Sequence, residues 1–145
     1  MIGQRRTLVA VAAALLLTST ARAQQPPTKF VAPVKGVAQI EYLAPQVKAD
    51  GKSMIVTTIK VKNISSGAIA GFKVDEFWYD KKGQPVTGSQ TFRHPKPLLP
   101  GETVDVILRV PRVEGMATNS YLFAHANGTI KPTKVTKFTE KKPST

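Results

Sequence analysis

The sequence predicts an all-β protein, an antiparallel sandwich of about seven strands without a disulfide. Short runs rich in β-branched and aromatic residues alternate with turn signals from Val37 onward, at the spacing typical of a sandwich. No segment shows the periodicity of an amphipathic helix. The 145 residues include no cysteine, so packing alone has to hold the core of what we expect to be one domain.

The first 23 residues are predicted to be a secretory signal peptide. Arg5 and Arg6 form a basic N-terminal region, and residues 8–17 are an unbroken apolar run. Ala21-Arg22-Ala23 is a small-x-small cleavage motif. The apolar run is shorter than the roughly 20 residues that span a bilayer. We therefore expect a periplasmic or secreted protein without a transmembrane span in the mature chain, exported by the general or the twin-arginine route.

The N-terminal half of the mature chain is predicted to contain a linker and two strands. Residues 24–36 hold three prolines and read as an extended linker before a domain at 37–138. The first strand is expected at 37–43 and the clearest one at 53–63. Along the strand at 53–63, apolar and polar side chains alternate, which predicts one buried face and one solvent-exposed face. The predicted buried face consists of Ile55, Thr57, Ile59 and Val61.

Further strands follow at regular intervals. Residues 70–80 are expected to pair with 85–92 across a glycine turn, and 104–110 alternate in polarity. Three prolines exclude a central strand over 94–101. Residues 120–125 and 129–138 flank Asn127-Gly128, the best hairpin signal in the chain. Residues 139–145 are predicted to be a basic disordered tail.

Four short motifs carry a family resemblance: Val61-Lys62-Asn63, Phe77-Trp78-Tyr79-Asp80, Gly83 with Val86, and Leu99-Pro100-Gly101-Glu102. Together they resemble the FxLYD-type domain of exported bacterial proteins and, more loosely, the CARDB adhesion-related domain. The resemblance covers roughly half of the mature chain. It implies an immunoglobulin-like sandwich with a binding or unassigned role and no catalytic centre.

The resemblance has one departure, because Glu76 stands where the namesake phenylalanine of the family belongs and Trp78 replaces the leucine. An unpaired buried carboxylate is costly. We therefore expect either a bulge that turns Phe77 inward or a basic partner for Glu76.

The aromatic residues of this strand are the predicted partner-binding site. Consecutive residues of a strand point to opposite faces, so at least one of these rings should lie off the core. Trp78 either anchors the core or belongs to an exposed platform for a glycan ring or a partner protein. The candidate residues are Phe77, Trp78, Tyr79 and Phe92.

The charge balance predicts contact with anionic material. The formal net charge is +12, and it is still +9 without the three arginines of the predicted signal peptide. Nucleic acid is not an expected partner, because no nucleic-acid-binding motif is present. The lysines near the C-terminus either protect an edge strand from aggregation or bind an anionic polymer or membrane surface. They are Lys131, Lys134, Lys137, Lys141 and Lys142.

No catalytic or metal-binding constellation is recognisable. His94 and His125 lack metal-ligand spacing, and the chain has no nucleophile-elbow motif. Asp75, Glu76 and Asp80 lie near lysines, which predicts surface ion pairs. We therefore expect no enzyme activity, no metal and no cofactor. The expected function is that of an accessory or protein-binding module of the bacterial cell envelope, with an envelope or extracellular protein as partner. The alternative is a basic domain that binds anionic envelope or wall polymer through its lysine-rich C-terminal region.

Overall fold

The computed structural model describes residues 29–140, and this part of the chain contains eight strands and no helix. The all-β class is therefore confirmed. The predicted signal peptide, the first residues of the predicted linker, Lys141 and Lys142 lie outside the described residues. The strands are β1 Gly36–Tyr42, β2 Gln46–Asp50, β3 Met54–Asn63, β4 Lys73–Tyr79, β5 Gln90–Arg93, β6 Thr103–Pro111, β7 Thr118–His125 and β8 Gly128–Lys134.

All eight strands belong to one curled, mixed sheet. β3 pairs with β6 along one edge, and with β2 and then β1 along the other. β1 also pairs with β8, and these two strands are parallel. β8 then pairs with β7, β7 with β4, and β4 with β5, all antiparallel. The two-layer immunoglobulin-like arrangement stays a prediction, because hydrogen bonds through β1 join both halves. The parallel pair was not foreseen, since strand patterns carry no information about the direction of a distant partner.

The core follows the predicted alternation along β3 and β6. Ile59 and Val61 of β3 and Val106 and Leu108 of β6 point inward and are buried. The remaining core residues come from the other strands and from the loops at 68–72 and at 98, and the connected cluster includes Ile40, Ile69, Phe72, Val74, Leu98 and Phe123. No helix that could span a membrane occurs between Lys29 and Glu140.

The β7–β8 hairpin forms where the sequence predicted it, but Gly128 has a different role from the expected one. The loop consists of Ala126 and Asn127, and neither has a positive φ. Gly128 begins β8 opposite Gly36 of β1, where an added Cβ would lie 2.0 Å from the Gly36 carbonyl oxygen. Glycine is therefore required here for two reasons: two backbones approach closely, and the φ of Gly128 is 153°, which L side chains rarely adopt.

Both ends of the domain differ from the predicted boundaries. Residues in the predicted linker already bind the domain, since Val34 donates a main-chain hydrogen bond to Ala68 (2.8 Å) and Ala68 donates one to Ala32 (3.0 Å). At the other end β8 stops at Lys134, and Thr139 of the predicted tail is held by side chains of β1 and β3. β2 was missed because its five residues lie between the turn signals Pro45 and Asp50-Gly51, so the short Gln-Val-Lys-Ala-Asp alternation was assigned to a loop; all five are exposed.

Candidate functional site

The four predicted partner-binding aromatics do not form one surface. Trp78 is 8% exposed and packs against Ile55 and Val110, so it belongs to the core. Phe92 of β5 lies opposite Val74 and also packs against the core. Phe77 and Tyr79 point to the outer face and are half-buried. The structure therefore separates this set into an inner and an outer pair, as the period of a strand requires.

Glu76 is fully buried, and the interpretations offered for it from the sequence are wrong. β4 pairs with β7 without interruption from Lys73 to Tyr79, so no bulge is present. No lysine or arginine of residues 29–140 lies within 4 Å of the carboxylate. Its partners are neutral donors instead: the Trp78 indole Nε1–H donates to Oε1 (3.0 Å) and the Asn119 amide donates to Oε2 (3.2 Å).

The Glu76 cluster extends to Tyr121. The Asn119 amide also donates to the Tyr121 hydroxyl oxygen (2.7 Å). Burial and the negative charge of Glu76 raise the pKa of Tyr121 to about 12. The Thr57 hydroxyl lies beside this phenol, but among the described residues it makes no hydrogen bond of acceptable geometry. Glu76 has no exposed surface, whereas Asn119 and Tyr121 are half-buried, so the cluster links the core to the edge of β7.

The other two carboxylates of the aromatic strand have local structural roles. Asp75 pairs with Lys73 (3.1 Å), as predicted, and accepts a hydrogen bond from the Thr91 hydroxyl (2.5 Å). Burial acts to raise the pKa of Asp75, but Thr91 and Lys73 outweigh it and lower the pKa. Asp80 accepts hydrogen bonds from the main-chain N–H groups of Lys82 and Gln84, which closes the turn after β4.

The two histidines bind main-chain groups in separate places. His125 is buried, and its Nε2 lies 2.9 Å from the Gly36 carbonyl oxygen and 3.0 Å from that of Thr129. This arrangement assigns the proton to Nε2, which links β7, β8 and β1. His94 Nδ1 lies 2.5 Å from the Lys96 carbonyl oxygen. Residues 29–140 contain no group of three or more side chains that could hold a metal ion.

The C-terminal lysines within the described range do not share a face. Lys131 and Lys134 lie three positions apart on β8, so they alternate between its faces, and both are exposed. Lys137 follows β8 and lies 3.8 Å from Glu140. The structure therefore does not gather these charges into a single patch.

The longest strand edge without a partner among residues 29–140 is the outer edge of β6. This strand has nine residues and pairs with β3 alone, whereas β2 has five and β5 has four. Asn63 N–H donates to Glu102 and Arg112 N–H donates to Ser53, which fixes the even-numbered residues as the ones bonded to β3. The main-chain groups that point to the free edge belong to Thr103, Asp105, Ile107 and Arg109.

The charged residues of β6 leave this edge unprotected. Charged side chains on an edge strand commonly prevent another strand from adding to it. Here Asp105 forms an ion pair with Lys60 of β3 (2.8 Å) and Arg109 forms one with Asp50 of β2 (2.7 Å). Both charges are therefore drawn across the sheet, away from the edge, and Ile107 between them is 52% exposed.

A second feature joins β1 and β3 to the C-terminal segment. The Thr139 N–H and hydroxyl both donate to the Glu41 carboxylate (2.8 and 2.5 Å), and the Lys62 ammonium donates to the Thr139 carbonyl oxygen (2.6 Å). We call Glu41 and Lys62 the clamp. No sequence pattern predicts the clamp, because Thr139 lies 77 positions from Lys62 and 98 from Glu41.

The clamp gives folding stability a defined dependence on pH. The hydroxyl and main-chain hydrogen bonds from Thr139, supported by the charge of Lys62, lower the pKa of Glu41 below its ordinary value of 4.5 although burial opposes them. A lowered folded-state pKa stabilises the protein above the ordinary value, and this stability is lost as the pH falls through the lowered pKa.

We expect the Glu41→Gln variant to be less stable than the wild type at about pH 7, and we expect the difference to be smaller at about pH 3, because the stability that the lowered pKa of Glu41 provides is lost as the pH falls through it. Urea unfolding at the two pH values measures the difference, with the exposed Glu114→Gln as control. A difference of equal size at both pH values would contradict this role of Glu41.

The fold and these surfaces define an all-β domain whose distinguishing features are a free strand edge and a clamped C-terminal segment. No family model matches the chain, and no curated protein matches it. Among solved structures, the chain is similar to IrmA from Escherichia coli. The two share 12% identity and a TM-score of 0.49, over 72% of this chain and 99% of that chain. A similarity of this strength carries no argument about function, and the FxLYD resemblance stays a prediction.

Proposed function

We propose that this protein is an exported, non-enzymatic binding module of the bacterial cell envelope that recruits a partner protein by strand addition to β6. The observation that carries the proposal is the free edge of β6. An extended segment of a partner would bind the N–H and C=O groups of Thr103, Asp105, Ile107 and Arg109. The exposed Ile107 would contact an apolar side chain of the added strand.

The geometry of β6 agrees with this role. Its inward residues are buried, so the strand is held rigidly and presents a preformed edge. Pro111 lies opposite Met54, at a position where the ring nitrogen points to the free edge and the ladder to β3 loses no bond. Nine ordered residues therefore offer more main-chain partners than β2 or β5 does.

We expect Ile107→Pro to abolish partner capture without unfolding the protein. The substitution removes an N–H group that points to the free edge, and the proline ring blocks an added strand. Val47→Pro is the matched control, because the N–H of Val47 points to the free edge of β2 and its side chain is similarly exposed, 43% against 52%. The measurement is capture from the envelope fraction of the source cells, with residues 24–145 as bait at low and high salt.

Each outcome decides between the candidates. Capture of a discrete protein at high salt by the wild type and Val47→Pro, but not by Ile107→Pro, supports strand addition. Equal capture by all three would place the partner elsewhere and reject this use of β6. Capture of anionic polymer or lipid alone, lost at high salt, would favour the alternative in which exposed lysines such as Lys131 and Lys134 bind the anion.

A further inference from the structure

Glu41 and Lys62 are directly opposite each other in the β1–β3 ladder, yet they do not form an ion pair within 4 Å. Opposite charges in this position ordinarily bind one another. Here the carboxylate accepts the N–H and the hydroxyl of Thr139, and the ammonium binds its carbonyl oxygen. All three polar groups of a single threonine are therefore held by one cross-strand pair.

A groove of ≈ 420 Å³ adjoins the clamp. Its walls are the clamp, Thr139, the turn that contains Ile64, and the Pro100-Gly101 turn. Ile64 is exposed in this groove although it is a large apolar residue. A peptide held by the clamp could therefore bury apolar surface on both sides of its threonine, which adds to the hydrogen bonds of a single residue.

We propose that the clamp and this groove bind a threonine- or serine-containing extended segment of a partner protein, and that residues 135–140 occupy the clamp when the partner is absent. The chain itself displays the chemistry of the ligand, since Thr139 is held by its N–H, hydroxyl and carbonyl groups. Within the occupying segment Thr136, Lys137, Thr139 and Glu140 are exposed, whereas Val135 and Phe138 are half-buried. Neither of these two belongs to the core cluster, and the one main-chain bond to β1, from Val135 N–H to the Tyr42 carbonyl oxygen (2.9 Å), precedes the residues that contact the clamp, so the segment from Thr136 onward can leave without disrupting the core.

The same segment from a second copy is a less favourable occupant. An exchange between copies would replace the Thr139 contacts by identical ones. It would also cost the translational and rotational entropy of bringing two chains together. A partner segment would add contacts to Ile64 and to the Pro100-Gly101 turn. The inference extends the proposed binding role, but it does not depend on the edge of β6.

The test uses a fluorescein-labelled peptide with the sequence of residues 135–142, titrated into the chain from Gln24 to Thr145 and followed by anisotropy. Thr139→Pro removes two of the donors that hold the chain's own segment. We expect it to bind the peptide about tenfold more tightly than the wild type, because the competing occupant is weakened. Thr136→Pro, an exposed position in the same segment, should bind as the wild type does.

Two further changes test the chemistry of the clamp. Adding Glu41→Gln or Lys62→Met to Thr139→Pro should remove the gain in affinity. A peptide with valine in place of the threonine that corresponds to Thr139 should bind about tenfold more weakly, because it lacks the hydroxyl donor. Circular dichroism of each variant checks that the sheet is intact.

Equal peptide affinity of Thr139→Pro and the wild type would overturn the proposal, and so would equal binding of the valine peptide. A wild-type dimer that Thr139→Pro converts to monomers, measured by light scattering, would assign the clamp to exchange between copies instead. Adding Ile107→Pro should leave peptide binding unchanged, so failure of the clamp and failure of strand addition at β6 are distinguishable.

Discussion

Gly128→Ala is expected to destabilise the protein by about 3 kcal/mol or more, because the added methyl group overpacks a contact between two backbones. Its Cβ would lie 2.0 Å from the Gly36 carbonyl oxygen, and the nearest neighbours are main-chain atoms that cannot rotate away. β1 and β8 would have to separate, which breaks the parallel pairing that joins the two halves of the sheet. Urea unfolding followed by circular dichroism measures the loss.

Gly36→Ala is the matched control for this prediction. Gly36 has a φ of 87°, but an added Cβ would meet no atom within 4 Å. Its cost is therefore conformational strain alone, about 1–2 kcal/mol. If Gly128→Ala costs no more than Gly36→Ala, the close approach is not what fixes the glycine at the start of β8.

Glu76→Ala is expected to cost about 3 kcal/mol, from a cavity in the core and from the loss of the acceptor for one buried and one half-buried donor. The donors are Trp78 Nε1 and the Asn119 amide. Glu76→Gln keeps the volume and one acceptor oxygen, so its cost should be about 1 kcal/mol. Trp78 is the single tryptophan of the chain, and its fluorescence reports unfolding from within the affected cluster.

The exposed Glu114→Ala provides the comparison, with an expected effect within about 0.5 kcal/mol. Circular dichroism should give the same midpoints as fluorescence, which separates a change in stability from a change in the surroundings of Trp78. A Glu76→Ala variant as stable as the wild type would show that the buried carboxylate contributes no net stability through its neutral donors.

The fold was predictable where its signal is local. The alternation of β3 and β6 places Ile59 and Val106 in the core, because a strand turns each successive side chain to the other face. The β7–β8 hairpin likewise lies at Asn127-Gly128. β2 was missed because its short alternating run lies between two turn signals, Pro45 and Asp50-Gly51. The parallel pairing of β1 with β8 was not predictable from the pattern of either strand.

The candidate sites were less predictable than the fold. The residue types of the aromatic strand predicted a binding site, yet tertiary packing buries Trp78, places the half-buried Phe92 against the core, and leaves the half-buried Phe77 and Tyr79 on the outer face. The free edge of β6 was not among the predicted site residues. Its identity depends on which strands find partners, which the pattern of a single strand does not encode.

The sequence by itself determined the all-β class, the faces of its most regular strands and the position of the hairpin, because each depends on neighbours within a few residues. The tertiary structure alone decided that Glu76 is buried against neutral donors, that β6 keeps a free edge, and that Thr139 lies between Glu41 and Lys62. The physical reason is separation along the chain. Glu76 and Asn119 are 43 positions apart and Thr139 is 77 from Lys62 and 98 from Glu41, so these contacts exist only once the sheet has formed; the Glu76–Trp78 bond is local, but its burial also depends on the sheet.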